Sequence, residues 1–445
     1  MSKQDKKELR QQIACEWLEE NYLNYGSLRH DVVTDRLQIR VADLHSLEDA
    51  SLQNAPEGLQ FRGKERWRNL TDKDINTMVC QCVMETAVNI SVTEMWTALK
   101  SDMVPAVHPL REYINALPRY TPDQPDWIDF VAQQVRTLPN PPFKGGDKGL
   151  PHEGGDGEGL LWRKCFKKWF VAMVASWMKD EVVNHTVLVL VGRQGIFKTT
   201  WLDNLIPPEL RAYSSKLPLS GQISKDDRLR LCENGLLNID ELDAICGREM
   251  NIVKSLLTST DVNERAAYGR LKERRVRLAS FCASTNKREF LTDVTGNRRW
   301  LPFEVESIQN PFHTIIPYEL LYAQAKALVE EGYFAYWFDM EEMEVLEAHN
   351  EEFRAQENEE ELLPILFDIP AEGKGEFMTT AQISERLVTF GNIKKPMALN
   401  RLGMLLGTVG YSRVNRRIGG NKTRGWLVYQ RDTDEINSLK KLLVK

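Results

Sequence analysis

Residues 186–201 read TVLVLVGRQGIFKTTW, and no other stretch so narrows what the chain can fold into. An apolar run, Val187–Val191, enters a turn with glycines at 192 and 195 and leaves it at Lys198, Thr199 and Thr200, where an amphipathic segment begins. A phosphate-binding loop needs this order: a buried strand, a turn whose amides face inward, and a helix start whose dipole favours anions. In this reading Gly192, Gln194, Gly195, Ile196 and Phe197 wrap the phosphates together with Thr200. Lys198 neutralises the β- and γ-phosphates, and the Thr199 hydroxyl ligates Mg2+. The pattern G-x-x-x-x-G-K-[ST] is met at Gly192, Lys198 and Thr199, but Phe197 stands where the second glycine belongs. A side chain there either crowds the phosphate approach or forces other loop dihedrals. Because Gly195 and every charged group are kept, the expectation is altered rather than abolished turnover.

Three later signals follow in the order such a loop demands. Gly235–Glu241 is a second apolar strand ending on two carboxylates. Asp240 suits the water shell of Mg2+, and Glu241 suits a general base that polarises the attacking water. A strand that simply reaches solvent at an acidic turn would look the same. Val276–Thr285 is a third strand, ending at Asn286, whose amide can position the lytic water or touch the γ-phosphate; an asparagine in an ordinary turn is the plain alternative. Finally, Arg298 and Arg299 precede a strand at Trp300–Val305 and can act in trans on a neighbouring subunit's nucleotide, or form an exposed basic turn. Each signal is ordinary alone. Together, between Gly192 and Val305, they specify an ATP site with Mg2+.

The runs GRQGIFKTT, NIDELDA, ERAAYGR and ASTNKREFLTDVTGNRRW resemble the virulence-associated E family of mobile-element proteins, densely from about Trp162 to Glu306. That family stands with the superfamily 3 and poxvirus-type primase–helicase ATPases of the AAA+ class. The resemblance implies an α/β fold: an AAA+ P-loop ATPase core with a mainly parallel sheet, and nucleotide at the carboxyl ends of its strands. It further implies a ring, with a hexamer as the expected size, that works as a DNA helicase in the replication of a phage, satellite or conjugative element. Family loops carry glycine before the lysine, so Phe197 is a departure. Superfamily 3 helicases place a pore hairpin between the acid pair and the asparagine. Here Glu264–Tyr268 and Val276 onward flank a basic tip whose Arg270, Lys272, Arg274 and Arg275 would grip single-stranded DNA by its phosphates. A surface hairpin with routine arginines is the alternative.

The 445 residues allow roughly three domains of about 150 each. No apolar run approaches the ~18 residues of a membrane span. The polar start MSKQDKKELRQQ carries no secretory signal, so a cytoplasmic protein is expected. The seven cysteines include a C-x-C at Cys80 and Cys82 but no zinc-type spacing, which fits free thiols. A net charge of −6 argues against a uniformly basic DNA-coating protein, although much of the acid is concentrated in Asp339–Leu363, read as one solvated linking helix.

The expected organisation is a helical N-terminal domain with a small β element (1–138) and a Gly/Pro-rich linker (139–159). The ATPase core (160–335), the acidic linking helix (336–364) and a winged-helix-like domain (365–445) follow. In the first domain, Val32–Arg40 reads as a hairpin, and Asp72 and Asp74 as helix-capping acids rather than a primase carboxylate pair. Trp127–Thr137 reads as a helix. Leu160–Asp180 is a tryptophan-rich helix whose Lys164, Lys167 and Lys168 are expected on its wet face. In the last domain two helices precede a basic wing, Arg413–Arg424, whose Arg416, Lys422 and Arg424 would lie along duplex phosphates; the same shape also serves protein contacts. Two functions from different classes remain: an ATP-driven DNA helicase or translocase, and an AAA+ assembly switch or adaptor that recruits partners without unwinding. Phe197 leans toward the switch, and the hairpin and wing toward the helicase.

Overall fold

The strand formed by Val187–Val191 is buried along its whole length, and the larger part of the chain is organised around it. The computed structural model describes residues 3–41, 66–138, 159–217, 224–239, 242, 247–264, 273–291, 297–354, 358–370, 375–391, 393, 396–419, 421–432 and 435–436. These fall into two units. One is Met1–Arg288 with Arg298–Leu346, and the other is Glu289–Asn297 with Glu347–Lys445.

The first unit opens with α1 (Lys3–Leu18), β1 (Leu28–Asp31), β2 (Arg36–Val41), β3 (Arg66–Asn69), α2 (Asp72–Thr86), α3 (Val92–Leu99) and β4 (Ala106–Val107). Its small sheet runs β3-β2-β1-β4. The expected hairpin exists but is shifted: Asp31 pairs with Arg36, so Val32–Asp35 are the tip rather than the strand. Asp35 takes the left-handed φ of 54° that this turn needs, which an Asp tolerates. The Thr71 and Asp74 side chains form a reciprocal capping box at the start of α2. The hydrogen bond from Arg68 holds the Asp74 carboxyl well below its usual range. The Asp72/Asp74 pair is therefore a helix start.

The chain continues through α4 (Pro109–Asn115), α5 (Trp127–Ala132) and β5 (Val135–Thr137) to α6 (Leu160–Met178) and β6 (Val187–Val191). The helix expected over Trp127–Thr137 thus ends at Ala132, because the next residues are drawn into a sheet edge against Val305–Ile308. Next come α7 (Lys198–Asp203), β7 (Ser214–Lys216), α8 (Lys225–Glu233), β8 (Leu236–Ile239), α9 (Gly247–Thr258), β9 (Asp261–Glu264), β10 (Glu273–Val276), β11 (Ser280–Thr285), β12 (Trp300–Ile308), α10 (Tyr318–Glu331) and α11 (Met340–Asn350). The main sheet has the order β5-β12-β6-β11-β8-β7. All its pairs are parallel except the β5 edge. From β6 the chain goes to the far edge at β7, returns through β8 and β11, and then crosses to β12. So β6 lies at the point where strand order reverses, which is where such sheets bind ligands at their carboxyl ends.

Packing on α6 fixes this sheet. Its indoles are buried, yet each donates to a backbone carbonyl: Trp162 to Ala132 at 2.9 Å, Trp169 to Phe281 at 3.0 Å and Trp177 to Gly235 at 3.2 Å. A Cβ at Gly235 would lie 2.7 Å from the Trp177 ring, so only glycine lets helix and strand close. The lysines of α6 do not form a simple wet face. Lys168 is buried and bonds Glu342 at 2.7 Å and the Trp337 carbonyl at 2.8 Å. Lys164 reaches the same carboxylate at 2.9 Å, and Lys167 bonds Asp126 at 2.6 Å. With its first turn pinned in this way, the acidic segment is not one free helix either. It runs as α11, a 3₁₀ turn at Glu351–Phe353, and a further helix, α12 (Asn358–Leu366). The turn is held because the Phe353 carbonyl accepts from the amides of Phe290 and Leu291.

The second unit adds β13 (Phe367–Asp368), β14 (Glu376–Met378), α13 (Thr380–Gly391), α14 (Leu399–Val409), β15 (Arg413–Ile418) and β16 (Asn421–Gln430) to α12. Strand β16 pairs antiparallel with β13, β14 and β15. Leu363, Phe367, Ile383, Leu387, Leu402, Leu406, Trp426 and Val428 form its core. The helix–helix–strand–turn–strand order read from the sequence is present, with β13 and β14 added.

Candidate nucleotide-binding site

Strand β6 ends at Val191 and the turn begins at Gly192, whose amide bonds the Thr285 carbonyl at 3.1 Å. A Cβ on Gly192 would stand 2.8 Å from the Val305 carbonyl oxygen and 3.1 Å from Ile196 Cδ1, so glycine is needed for the turn to leave the sheet between β11 and β12. Gly195 lies at φ +85°, in glycine's own region. Arg193, Gln194 and Gly195 are exposed along the turn.

Phe197 adopts φ 67° and ψ 18°, the left-handed conformation a glycine would take there. Of the two consequences expected of its side chain, the dihedrals keep the glycine form. The cost for an L-residue is about 1–2 kcal/mol, and the Phe197 ring packs edge-on against Phe312, with centroids 6.2 Å apart.

Lys198 is 7 % exposed. Its Nζ donates to the carbonyls of Gly192 at 2.7 Å and Arg193 at 2.8 Å, and to Asn286 Oδ1 at 3.0 Å. The ammonium therefore spans the loop from inside and ties it to the end of β11. Thr199 Oγ1 lies 3.0 Å from Ser284 Oγ. Ser284 lies on β11 and Asn286 directly after its end, and they meet the adjacent Thr199 and Lys198 at the start of α7. Sequence reasoning missed Ser284. Its only signal was a hydroxyl two residues before the asparagine, on a strand that also carries Ser280 and Thr285. The donor set fits a phosphate with a hard divalent cation: one ammonium, exposed loop positions, and a hydroxyl rather than sulfur or imidazole. Thr200 follows in the first turn of α7. Asp240 and Glu241 lie outside the described residues, directly after β8. Among the described residues no His, Cys, Asp and Glu group is arranged to hold a metal by itself.

Residues 156–355 match the model of the Virulence-associated protein E-like domain. Among solved structures, the chain is similar to the C-terminal region of NrS-1. Against an A form apo structure of residues 305–718 the identity is 10% and the TM-score 0.43, covering 93% of this chain and 99% of that one. Against another apo structure of that region the values are 9% and 0.38, covering 92% and 97%. No curated protein matches the sequence.

Within the matched segment, Arg298 and Arg299 end a 3₁₀ turn at the start of β12. Trp300 pairs with Val187 and Glu304 with Val191, so the two arginines lie level with the beginning of β6 and the loop with its end. About 13 Å of strand separates these levels. The geometry does not bring them to the loop of their own chain.

The β9–β10 hairpin has its tip, including Arg270 and Lys272, outside the described residues. At its base Arg274 is exposed and bonds Asp261 at 2.7 Å. Arg275 is mostly buried, paired with Glu233 at 3.3 Å and donating to the Val33 carbonyl. It ties the hairpin to the N-terminal sheet. The strand expected over Val276–Thr285 is interrupted at Arg277, which is fully buried. Its guanidinium donates to the carbonyls of Asn184, Leu256, Leu257, Ser259 and Ala279 at 2.8–3.3 Å, and no ion pair reaches it among the described residues. Burial pulls its pKa down to about 9. Gathering carbonyls from three directions requires a bend, so β10 and β11 are separate strands.

In the second unit, register pairs Arg413 with Trp426, Asn415 with Arg424 and Arg417 with Lys422. Cross-strand partners share a face, so Arg413, Arg417, Lys422 and Arg424 form one exposed basic surface. Arg416 pairs with Thr423 on the other face and stacks on Phe377 at 5.5 Å. Of the three wing residues expected to bind DNA, two are together and Arg416 is apart.

Among the described residues no helix is long and apolar enough to cross a membrane. The described cysteines are free thiols, of which Cys80 is exposed and Cys82, Cys165, Cys232 and Cys282 are buried.

Proposed function

We propose that this chain is an AAA+ ATP hydrolase that drives a DNA helicase or translocase in the replication of a mobile genetic element, acting in the cytoplasm as a homo-oligomeric ring, with a hexamer as the expected size. The observation that carries this reading is the convergence of Lys198, Thr199, Ser284 and Asn286 where β6 and β11 end, at the point of reversed strand order. The match of residues 156–355 to the Virulence-associated protein E-like domain supports it.

In this reading Lys198 holds the β- and γ-phosphates, Asn286 orients the water, Thr199 and Asp240 hold Mg2+, and Glu241 accepts the water's proton. Mg2+, when bound, would supply neutralising charge on the phosphate oxygens. Arg298 and Arg299, level with the opposite end of β6 from their own loop, would act on the nucleotide of an adjacent copy in a ring. The hairpin tip and Arg274 would meet single-stranded DNA, and the Arg413, Arg417, Lys422 and Arg424 face would meet duplex phosphates.

The deciding experiment is ATP hydrolysis with and without single-stranded DNA. DNA-stimulated turnover supports the helicase reading. ATP-dependent assembly with no stimulation at any DNA concentration would replace it with an assembly switch. Phe197 no longer argues for the switch by distorting the loop, since its backbone keeps the glycine conformation.

A further inference from the structure

The residue that departs from the phosphate-loop pattern packs against the most exposed phenylalanine of the chain's described residues. Phe312 is 76 % exposed, and its ring meets Phe197 edge-on at 82°. It belongs to the segment 309–317 that follows β12. An exposed aromatic face that meets a residue of the phosphate-type loop offers a stacking surface beside that loop.

The placement indicates what would stack there. The polar groups suited to the terminal phosphate lie on one flank of β6: Ser284 stands on β11 and Asn286 directly after it, and Lys198 and Thr199 bond them. Phe312, the partner of Phe197, follows the end of β12, the strand on the other flank of β6. A triphosphate chain that starts with its γ-phosphate toward Ser284 and Asn286 and runs back across the loop brings its base to the β12 side, where Phe312 lies.

We infer that Phe197 and Phe312 form the platform on which the base of the bound nucleoside triphosphate stacks. This rests on the nucleotide-site reading above and adds to it the position of the base and the way it is recognised. Stacking uses the π-face, which every base has, so the platform gives affinity without choosing among bases. Phe197 in the left-handed conformation then has a use that glycine would lack: its ring backs Phe312 at an edge-to-face geometry that aromatic pairs favour.

The test compares equilibrium binding of Mg-ATP, Mg-GTP and Mg-tripolyphosphate to the full chain, to Phe312→Ala and to Phe312→Trp. Wild type should bind ATP at least about ten-fold more tightly than tripolyphosphate, with GTP within a few-fold of ATP. Phe312→Ala should lose most of that margin and leave tripolyphosphate binding unchanged, and Phe312→Trp should keep it. Because Phe312 is so exposed, neither change removes core packing. If Phe312→Ala retains the full margin, or if ATP and tripolyphosphate bind wild type equally, the platform is refuted while the phosphate site stands. If neither binds wild type, the nucleotide-site reading fails and the platform with it.

Discussion

Arg277 offers the most stringent test of how this fold is held. Its Nε bonds Ala279, Nη1 bonds Leu256, Leu257 and Ser259, and Nη2 bonds Asn184, so one planar group joins the end of α9, the start of β11 and the approach to β6. The last-turn carbonyls of α9 form the negative end of its dipole, which suits a cation. Arg277→Lys keeps the charge but replaces the fork with a single nitrogen, which cannot reach both Asn184 and Ala279. Losing two charge-assisted bonds at about 1.5 kcal/mol each gives about 3 kcal/mol. For a unit of this size that lowers the melting temperature by roughly 4 °C. Urea unfolding followed by tryptophan fluorescence reads this directly, because Trp169 is buried and bonded to Phe281 on β11. Arg274→Lys, at an exposed site in the same hairpin, should stay within about 0.5 kcal/mol of wild type. An Arg277→Lys midpoint equal to that of Arg274→Lys would refute the claim that the guanidinium fork carries this junction.

Burial opposes ionisation of Glu342, but hydrogen bonds from Lys168 and Lys164 outweigh it and hold its pKa at about 2, below the ordinary 4.5. A folded pKa below the unfolded one means stability present above pH 4.5 and lost as pH falls toward 2. Glu342→Gln should therefore cost about 3 kcal/mol at pH 7, by stranding Lys168, and flatten the acid limb of the unfolding curve; an unchanged acid limb would contradict the pairing. Lys198→Ala should weaken ATP binding, whereas Glu241→Gln should leave binding nearly intact and stop turnover; normal hydrolysis in both would remove the site assignment. An Arg298→Ala or Arg299→Ala chain mixed with Lys198→Ala chains should regain partial ATPase activity, since one class of mixed interface carries an intact site. No recovery at any ratio, with assembly confirmed, would leave the arginines a structural role. Replacing Arg270, Lys272 and Arg274 by Ala should spare basal hydrolysis while strand displacement falls and the salt dependence of DNA binding becomes shallower; unwinding at the wild-type rate would exclude the hairpin as the gripping element.

Local order determined much of this protein from the sequence alone. A continuous apolar run followed by glycines and Lys198 can scarcely form anything but a buried strand, a turn and a helix start. Caps such as Thr71 with Asp74, and the run Tyr318–Glu331, are set by residues within a turn or two of each other. The candidate site was legible for the same reason: strand ends carry it, and strand ends are local features. What only the tertiary structure decided depends on residues far apart in the chain. Val135–Thr137 became a strand because Val305–Ile308 offered an edge. Lys168 left the wet face because Glu342 lay opposite, and Ser284 acquired meaning only once Thr199 stood 3.0 Å away. Arg277 broke a strand that periodicity made continuous, since its five carbonyl partners include Asn184 and the last turn of α9. Register, not composition, placed Arg416 on the face opposite Lys422 and Arg424. Partners at long range are not encoded in the spacing of neighbours. They arise when the folded chain must satisfy each buried charge and carbonyl with whatever lies nearest.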